Sequence, residues 1–424
     1  MADTGLEAQV SELVIVNGRV CDGTGSDPRP ATVVIRDDRI VAVQSGGATL
    51  PAGATRIDAD GGFVMPGMID SHVHLSSSGA ANYELQRLKD LLPLQALRGA
   101  ANARTMLMAG FTTVRDLSAA GFTNVAIRQA FDEGLMVGPR VLAAGMSLTV
   151  AGGHGDSYYR PEISVAREGI VNGPDEARRA VREWVKMRVD LIKLLVTGGV
   201  MTDGSDVGAL QWTPEELAAA IGQAHQLGVR VAGHCHGAAG VKAAVKVGLD
   251  TVEHGTMLDE EAVALMKERG TFLVPTIIAG KHIVDHGTAG GIAPHVVRKG
   301  EQIGEWHRKS VAMAHQAGVK IAFGTDCGTP FNRPGENALE LGYMVECGLT
   351  PSEALQSATR IAADASALSD RIGTLEEGKV ADLIVVNGDP LSDITVMADT
   401  RNIAYVVKGG TVVRKPGASE DDLP

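Results

Sequence analysis

Both ends of the chain share a texture of short β-branched runs, at residues 13–20, 31–36 and 39–43 and again at 381–386, 403–408 and 411–414. Turn residues punctuate them: Asn17-Gly18 and Asp37-Asp38 near the start, Asn387-Gly388-Asp389-Pro390 and Gly409-Gly410 near the end. Runs this short do not form a stable sheet at either end alone, so the pattern predicts one small β-sandwich domain completed by both ends. Between the ends, apolar strand-like runs alternate with helical segments. The eight runs are residues 63–74, 111–117, 140–145, 190–196, 229–234, 250–254, 271–275 and 319–326. Helices are predicted at 175–187, opened by Pro174, and at 213–227, where Thr213-Pro214-Glu215-Glu216 supplies a cap, a first-turn proline and acids. Eight such repeats predict a (β/α)8 TIM barrel, a fold that gathers functional groups at the C-terminal ends of its strands. A doubly wound sheet is the competing topology, but no GxGxxG follows the first strand. The expected spans are 1–62 and 371–424 for the two parts of the β-domain and 63–370 for the barrel.

Composition narrows the function classes. With 44% hydrophobic residues in 424, the chain can bury a large core, which excludes global disorder. Its 39 Lys+Arg against 51 Asp+Glu leave a formal charge of -12, and no basic stretch supplies attraction for nucleic acid or an anionic membrane. Cys21, Cys235, Cys327 and Cys347 are scattered without a CxxC pair, which fits neither a disulfide scaffold nor a zinc finger. Residues 1–12 carry acids and no apolar signal core, and no run approaches the roughly 20 apolar residues of a membrane span. The expectation is a soluble cytoplasmic protein.

Candidate chemistry sits on the predicted strands. In His72-Val73-His74, strand alternation turns both imidazoles to one face and packs Val73 on the other, which offers half a zinc site. A bare HxH is otherwise often two surface histidines. Lys193 lies within the apolar run 190–196, where a lysine is costly to bury. One reading has it snorkel to a nearby acid; the other has a neutral amine take up CO2 as a carbamate that bridges two metals. The residue alone does not choose between them. His234-Cys235-His236 again presents two imidazoles inward and sends Cys235 towards the helix layer, while His254 and Asp326 end two further strands. A single His or Asp at a strand end is ordinarily a cap or a satisfied core group, but closure of the barrel would unite all five sites. Of twelve histidines, His72, His74, His154, His234, His236 and His254 lie at or beyond predicted strand ends. His225, His282, His286, His295, His307 and His315 read as solvated, with His282 and His286 placed for a lid over the mouth.

With these residues in place, the chain resembles the amidohydrolase superfamily over nearly its whole length. The resemblance is carried by Pro66-Gly67-Met68-Ile69-Asp70-Ser71-His72-Val73-His74, Lys193, His234, Glu253-His254-Gly255, Gly324-Thr325-Asp326 and the tail Ile372-Gly373-Thr374-Leu375-Glu376-Glu377-Gly378-Lys379-Val380-Ala381-Asp382-Leu383-Ile384-Val385. Within the superfamily it looks most like the imidazolonepropionase-related branch that includes Xaa-Pro dipeptidases, Arg/Lys carboxypeptidases and ochratoxin-degrading amidohydrolases. The Lys193-to-His234 and His234-to-His254 intervals fit that branch, as does His154 in Ala151-Gly152-Gly153-His154-Gly155-Asp156.

That resemblance implies a binuclear centre: His72, His74 and Asp326 hold one divalent ion, His234 and His254 the other, and carbamylated Lys193 bridges them. Zinc suits such ligands, although Mn or Co could occupy the same cage. It further implies a metal-activated water as nucleophile, Asp326 as proton shuttle, His154 on the scissile carbonyl or a substrate carboxylate, and His236 as a second substrate contact. The expected enzyme is a metal-dependent hydrolase of an amide bond in a small N-acyl amino acid, dipeptide or ochratoxin-like aryl amide. It is expected to be a homo-oligomer, as relatives commonly are. One alternative is a mononuclear hydrolase that opens a cyclic amide, as imidazolonepropionase does, and such a site would not need Lys193. Another is a non-catalytic barrel serving assembly, which the presence of all six ligand-type residues disfavours.

Overall fold

The computed structural model describes residues 12–46, 53–156, 158–160 and 169–418, with nothing said of the side chains of Tyr83, Glu84 and Arg87. The stretch read above for a signal segment, residues 1–11 in particular, lies outside the described residues. The amino-terminal strands are β1 (Glu12–Val20), β2 (Arg29–Arg36), β3 (Arg39–Gln44), β4 (Thr55–Asp58) and β5 (Phe63–Pro66). The central strands are β6 (Met68–Val73), β7 (Phe111–Asp116), β8 (Arg140–Ala143), β9 (Leu191–Leu195), β10 (Arg230–Gly237), β11 (Thr251–Met257) and β12 (Phe272–Val274). The chain closes with β13 (Leu383–Val386), β14 (Ile403–Lys408) and β15 (Thr411–Arg414).

Both ends meet in one eight-stranded mixed sheet, ordered β15-β14-β13-β5-β1-β2-β3, with β4 on β1. Asp37-Asp38 turns the β2–β3 hairpin, as read from the sequence. Asn17-Gly18 does not turn the chain. It forms a bulge inside β1, where Asn17 takes φ 57° and the register with β2 shifts between Ile15 and Gly18. The run 63–74 likewise proves to be two strands. Its first part, β5, pairs with β1 and β13 in the end sheet, and its second part, β6, enters the barrel. The break falls at Gly67, whose N–H donates to the Asp382 carbonyl (2.9 Å), and a Cβ there would collide with Thr112. Arg140 on β8 pairs with Asp382 at 2.7 Å and fastens the same junction.

The barrel strands run parallel in two ladders, β6-β7-β8 and β9-β10-β11-β12. Two irregular seams complete the ring. At one, Asp190 donates to Ala143 and Leu148 exchanges backbone bonds with Lys193 and Leu195. At the other, the segment expected as an eighth strand makes single bridges, Ile321 to Leu273 and Cys327 to Val73, instead of a regular ladder. Ala322 donates to Leu273, Ser71 to Phe323 and Asp326 to His72, so its backbone is still bonded on both sides. Asp326, with φ 58°, leaves the extended conformation there, which ends any ladder. The outer helices form as their caps dictate: Pro174–Lys186 starts on its proline, and Pro214–Gln226 carries a full capping box of Thr213 and Glu216. Among the described residues, no helix is long and apolar enough to cross a membrane.

Candidate metal centre and active-site cavity

His72 occupies the carboxyl end of β6 and His74 follows it, while Val73 between them is wholly buried in the apolar core. Both Nε2 atoms converge on Oδ1 of Asp326, at 3.4 and 3.1 Å. Asp326 arrives from the opposite end of the barrel sequence, and Asp70 fixes its approach. The Asp70 carboxylate accepts from the N–H groups of His72 (3.0 Å) and Thr325 (3.1 Å), from the Thr325 hydroxyl (2.6 Å) and from the Asn337 amide (2.8 Å). Burial pushes Asp70 up to about 6, and those four bonds oppose the rise.

A second cluster joins His234 and His236 on β10 to His254 on β11, with ligand atoms within 4.8 Å of one another. Each of several rings is oriented from behind. His236 Nδ1 pairs with the Thr256 hydroxyl (2.9 Å), His254 Nδ1 with that of Thr276 (2.7 Å), and His154 Nδ1 with that of Thr202 (2.8 Å). The His154 ring stacks on His234 with centroids 4.4 Å apart. Gly199 is required beside them, because a Cβ there would lie 2.5 Å from the His154 ring and 2.7 Å from His234 Nε2. His254 and Thr276 both hold positive φ (72° and 54°), a strain that neighbouring structure sustains at a functional site. Burial drives His234, His236 and His254 well below the usual imidazole range and takes His72 and His154 down to about 4. These imidazoles are therefore neutral at pH 7, the form that donates a lone pair to a cation.

Lys193, 2% exposed, points from β9 into the same cavity. Among the described residues, neither its Nζ nor His234 Nε2 has a hydrogen-bond partner, so the snorkelling reading of Lys193 finds no acid in bonding range. Burial pushes the amine down to about 8, against the pull of Glu253 and Asp326. Glu253 is itself committed: Oε2 accepts from His72 Nδ1 (2.9 Å) and Oε1 from Arg115 (2.7 Å). Burial alone would raise Glu253, but Arg115 and His72 outweigh it and hold the carboxyl at about 2. Among the histidines His74 is the exception: burial would lower it, but the Asp326 carboxylate beside it raises its pKa. Two sets of convergent imidazoles, one carboxylate and a buried amine with no partner among the described residues fit hard or borderline divalent ions.

His72, His74, His154, Lys193, His234, His236, His254 and Asp326 all line one cavity of about 670 Å³. Cys235 lies outside it, in the apolar core. The second cluster brings His236 in as a ligand-type group, where the sequence reading had it only as a substrate contact. One expectation is corrected: His307 is not solvated. It sits on the inner face of helix Pro294–Ala317, 5% exposed, with Nε2 bonded to the Pro275 carbonyl (2.8 Å), and it lines the cavity together with His295. His282 and His286 pack instead around Phe331, the first on its carbonyl and the second stacked on its ring. Arg115 was missed, although a cation inside the apolar run 111–117 is the same signal that singled out Lys193. Thr202, Thr276 and Asn337 left no signal, since each matters only through a partner distant in sequence.

Residues 63–413 match the Amidohydrolase family. The chain belongs to that family. Ochratoxinase of Aspergillus niger is 33% identical over 97% of this chain and 88% of its own. The crystal structure of a Xaa-Pro dipeptidase with bound methionine in the active site superposes with a TM-score of 0.88, at 35% identity, covering 95% of this chain and all of that one. That of a prolidase complexed with N-methylphosphonate-L-proline gives 0.89 at 33% identity, covering 96% of this chain and all of the other. This family member is a hydrolytic enzyme of amide bonds with histidine clusters able to bind metal.

Proposed function

We propose that the enzyme hydrolyses an amide bond in a small N-acyl amino acid, dipeptide or ochratoxin-like aryl amide, at a two-metal centre. His72, His74 and Asp326 would hold one ion and His234 and His254 the other, with Lys193, carbamylated, shared between them. The observation that carries this reading is Lys193 Nζ and His234 Nε2, both without a hydrogen-bond partner among the described residues and buried in the same cavity as two convergent ligand clusters. Bound there, divalent ions, zinc by donor preference, would lower the pKa of water towards neutrality and polarise the scissile carbonyl. Asp326 would take the proton from the attacking water and pass it to the departing amine. Glu253 and Arg115 fix the His72 ring, and Thr276 fixes His254, so each faces the cavity with Nε2. The test is elemental analysis joined to a hydrolysis screen over N-acyl amino acids and dipeptides. About two metal ions per chain are expected, with activity lost on chelation. One tightly bound metal in fully active enzyme would overturn the bridging role of Lys193.

The ligands named for two of the similar structures, methionine and an N-substituted proline, support a substrate with a free carboxylate beside the scissile amide. His154 and His236 supply imidazoles for that group, and Thr202 holds His154 in place. Such a bond to an ionised group is worth about 1.5–3 kcal/mol, or roughly 10- to 100-fold preference over a neutral analogue. His154→Ala should therefore erode the preference for free acids over their carboxamides more than it lowers metal content. Equal kcat/KM for an acid and its carboxamide in the unaltered enzyme would remove the carboxylate reading and leave the amide hydrolase standing.

A further inference from the structure

The first barrel strand is followed by an unusual segment. Helix Tyr83–Lys89 leads through Asp90 into helix Leu92–Met108, and Leu85, Leu88, Leu91, Leu92, Leu94 and Leu97 are all exposed along it. Leu91 is 74% and Leu97 66% exposed. Clustered exposed leucines in a water-soluble fold mark a surface that meets something apolar. The turn does not depend on burying them, because polar bonds hold it: Arg98 pairs with Asp90 at 2.7 Å and Gln95 donates to the Asp90 carbonyl at 3.1 Å.

Two of these side chains, Leu88 (48% exposed) and Leu92 (44%), also line the cavity that holds the candidate metal ligands, a cavity whose wall includes Met146 and Ile170 as well. The leucine surface is thus continuous with the active site. Its direction follows from the ring order. The segment follows β6, and β10, which carries His236 at its carboxyl end, is four places further round a ring of eight, hence diametrically opposite. A substrate whose carboxylate rests against His236 would send its acyl group across the centre towards Leu88 and Leu92. At about 670 Å³ the cavity has room for a drug-sized ligand, well beyond an N-acetyl amino acid.

We propose that the leucine segment around Leu88 and Leu92 is the acyl-binding wall of the site, selecting amides in which an amino-acid nitrogen carries an extended apolar acyl or aryl group. This rests on the amide-hydrolase reading. The reaction stays ordinary hydrolysis: water adds to the acyl carbon, the C–N bond breaks, and a carboxylic acid and a free amino acid leave.

The test is a series of N-acetyl-, N-butanoyl- and N-octanoyl-L-phenylalanine, kept below micelle formation, with the metal-loaded enzyme. From acetyl to octanoyl, kcat/KM should rise at least roughly 10-fold as methylenes leave water. In a Leu88→Ser, Leu92→Ser double variant that ratio should fall several-fold. Calorimetry with the metal-free protein provides an independent arm: octanoate should bind more tightly than acetate, and the double variant should lose the difference. A flat series with N-acetyl-L-phenylalanine readily cleaved overturns the wall and leaves the amide hydrolase intact. So does an unchanged octanoyl-to-acetyl ratio in the variant, and if its mass in sedimentation also falls, the leucines cover a second copy of the chain instead. If no member is cleaved, the amide-hydrolase reading fails, and equal affinity for acetate and octanoate then overturns the wall separately.

Discussion

Lys193→Met should lose at least roughly 100-fold in kcat/KM and about one of the two metal ions proposed above, the larger end of what removing a ligand-shell group costs. Methionine is chosen because Lys193 is buried in β9, in register with Ala232 of β10, and a smaller residue would add a packing defect to the chemical one. The thioether fills the space and cannot form a carbamate. Nothing in the fold depends on the amine, which makes no hydrogen bond among the described residues, so thermal stability should hold or rise. Metal content, kcat/KM and the melting temperature together check the prediction. In Lys193→Ala, which leaves that space open, partial rescue by added formate or acetate would identify the missing group as a bridging carboxylate. Two tightly bound ions with full activity in the variant would show that Lys193 is only a buried lysine.

Asp326→Asn would separate the proton shuttle proposed for Asp326 from its part in the scaffold. Asp326 sits at φ 58°, in the left-handed region that asparagine also tolerates, so the exchange adds no backbone strain. Its N–H bond to the His72 carbonyl (2.7 Å) does not involve the side chain and should survive. The amide keeps an oxygen to face His72 and His74 but has no carboxylate to take a proton. Much of the metal should remain while kcat falls at least roughly 100-fold, the usual scale of general acid–base help. Measurement of kcat against pH, beside metal content, decides the point. An active variant with an unchanged pH profile would assign the proton transfer to another group.

Whatever depends on neighbours along the chain is legible in the sequence. Strand alternation put His72 and His74 on one face and Val73 in the core, and did the same for His234 and His236 around Cys235. Caps and first-turn prolines set helices Pro174–Lys186 and Pro214–Gln226. The resemblance to a family then named the set of residues that the cavity holds. Tertiary structure decided what depends on partners brought together by closing the ring. It cut the run 63–74 at Gly67, because the close approach of Thr112 and the pairing of β5 with β13 cannot be read from the run itself. It turned Asn17-Gly18 from a turn into a bulge, since β2 continues its pairing past them. It drew His307 inward, tied His72 through Glu253 to Arg115, and left six leucines of one segment exposed, two of them on the cavity wall. Local periodicity fixes which face a side chain takes, but the contacts of that face are made by residues tens to hundreds of positions away, and only the folded chain places them.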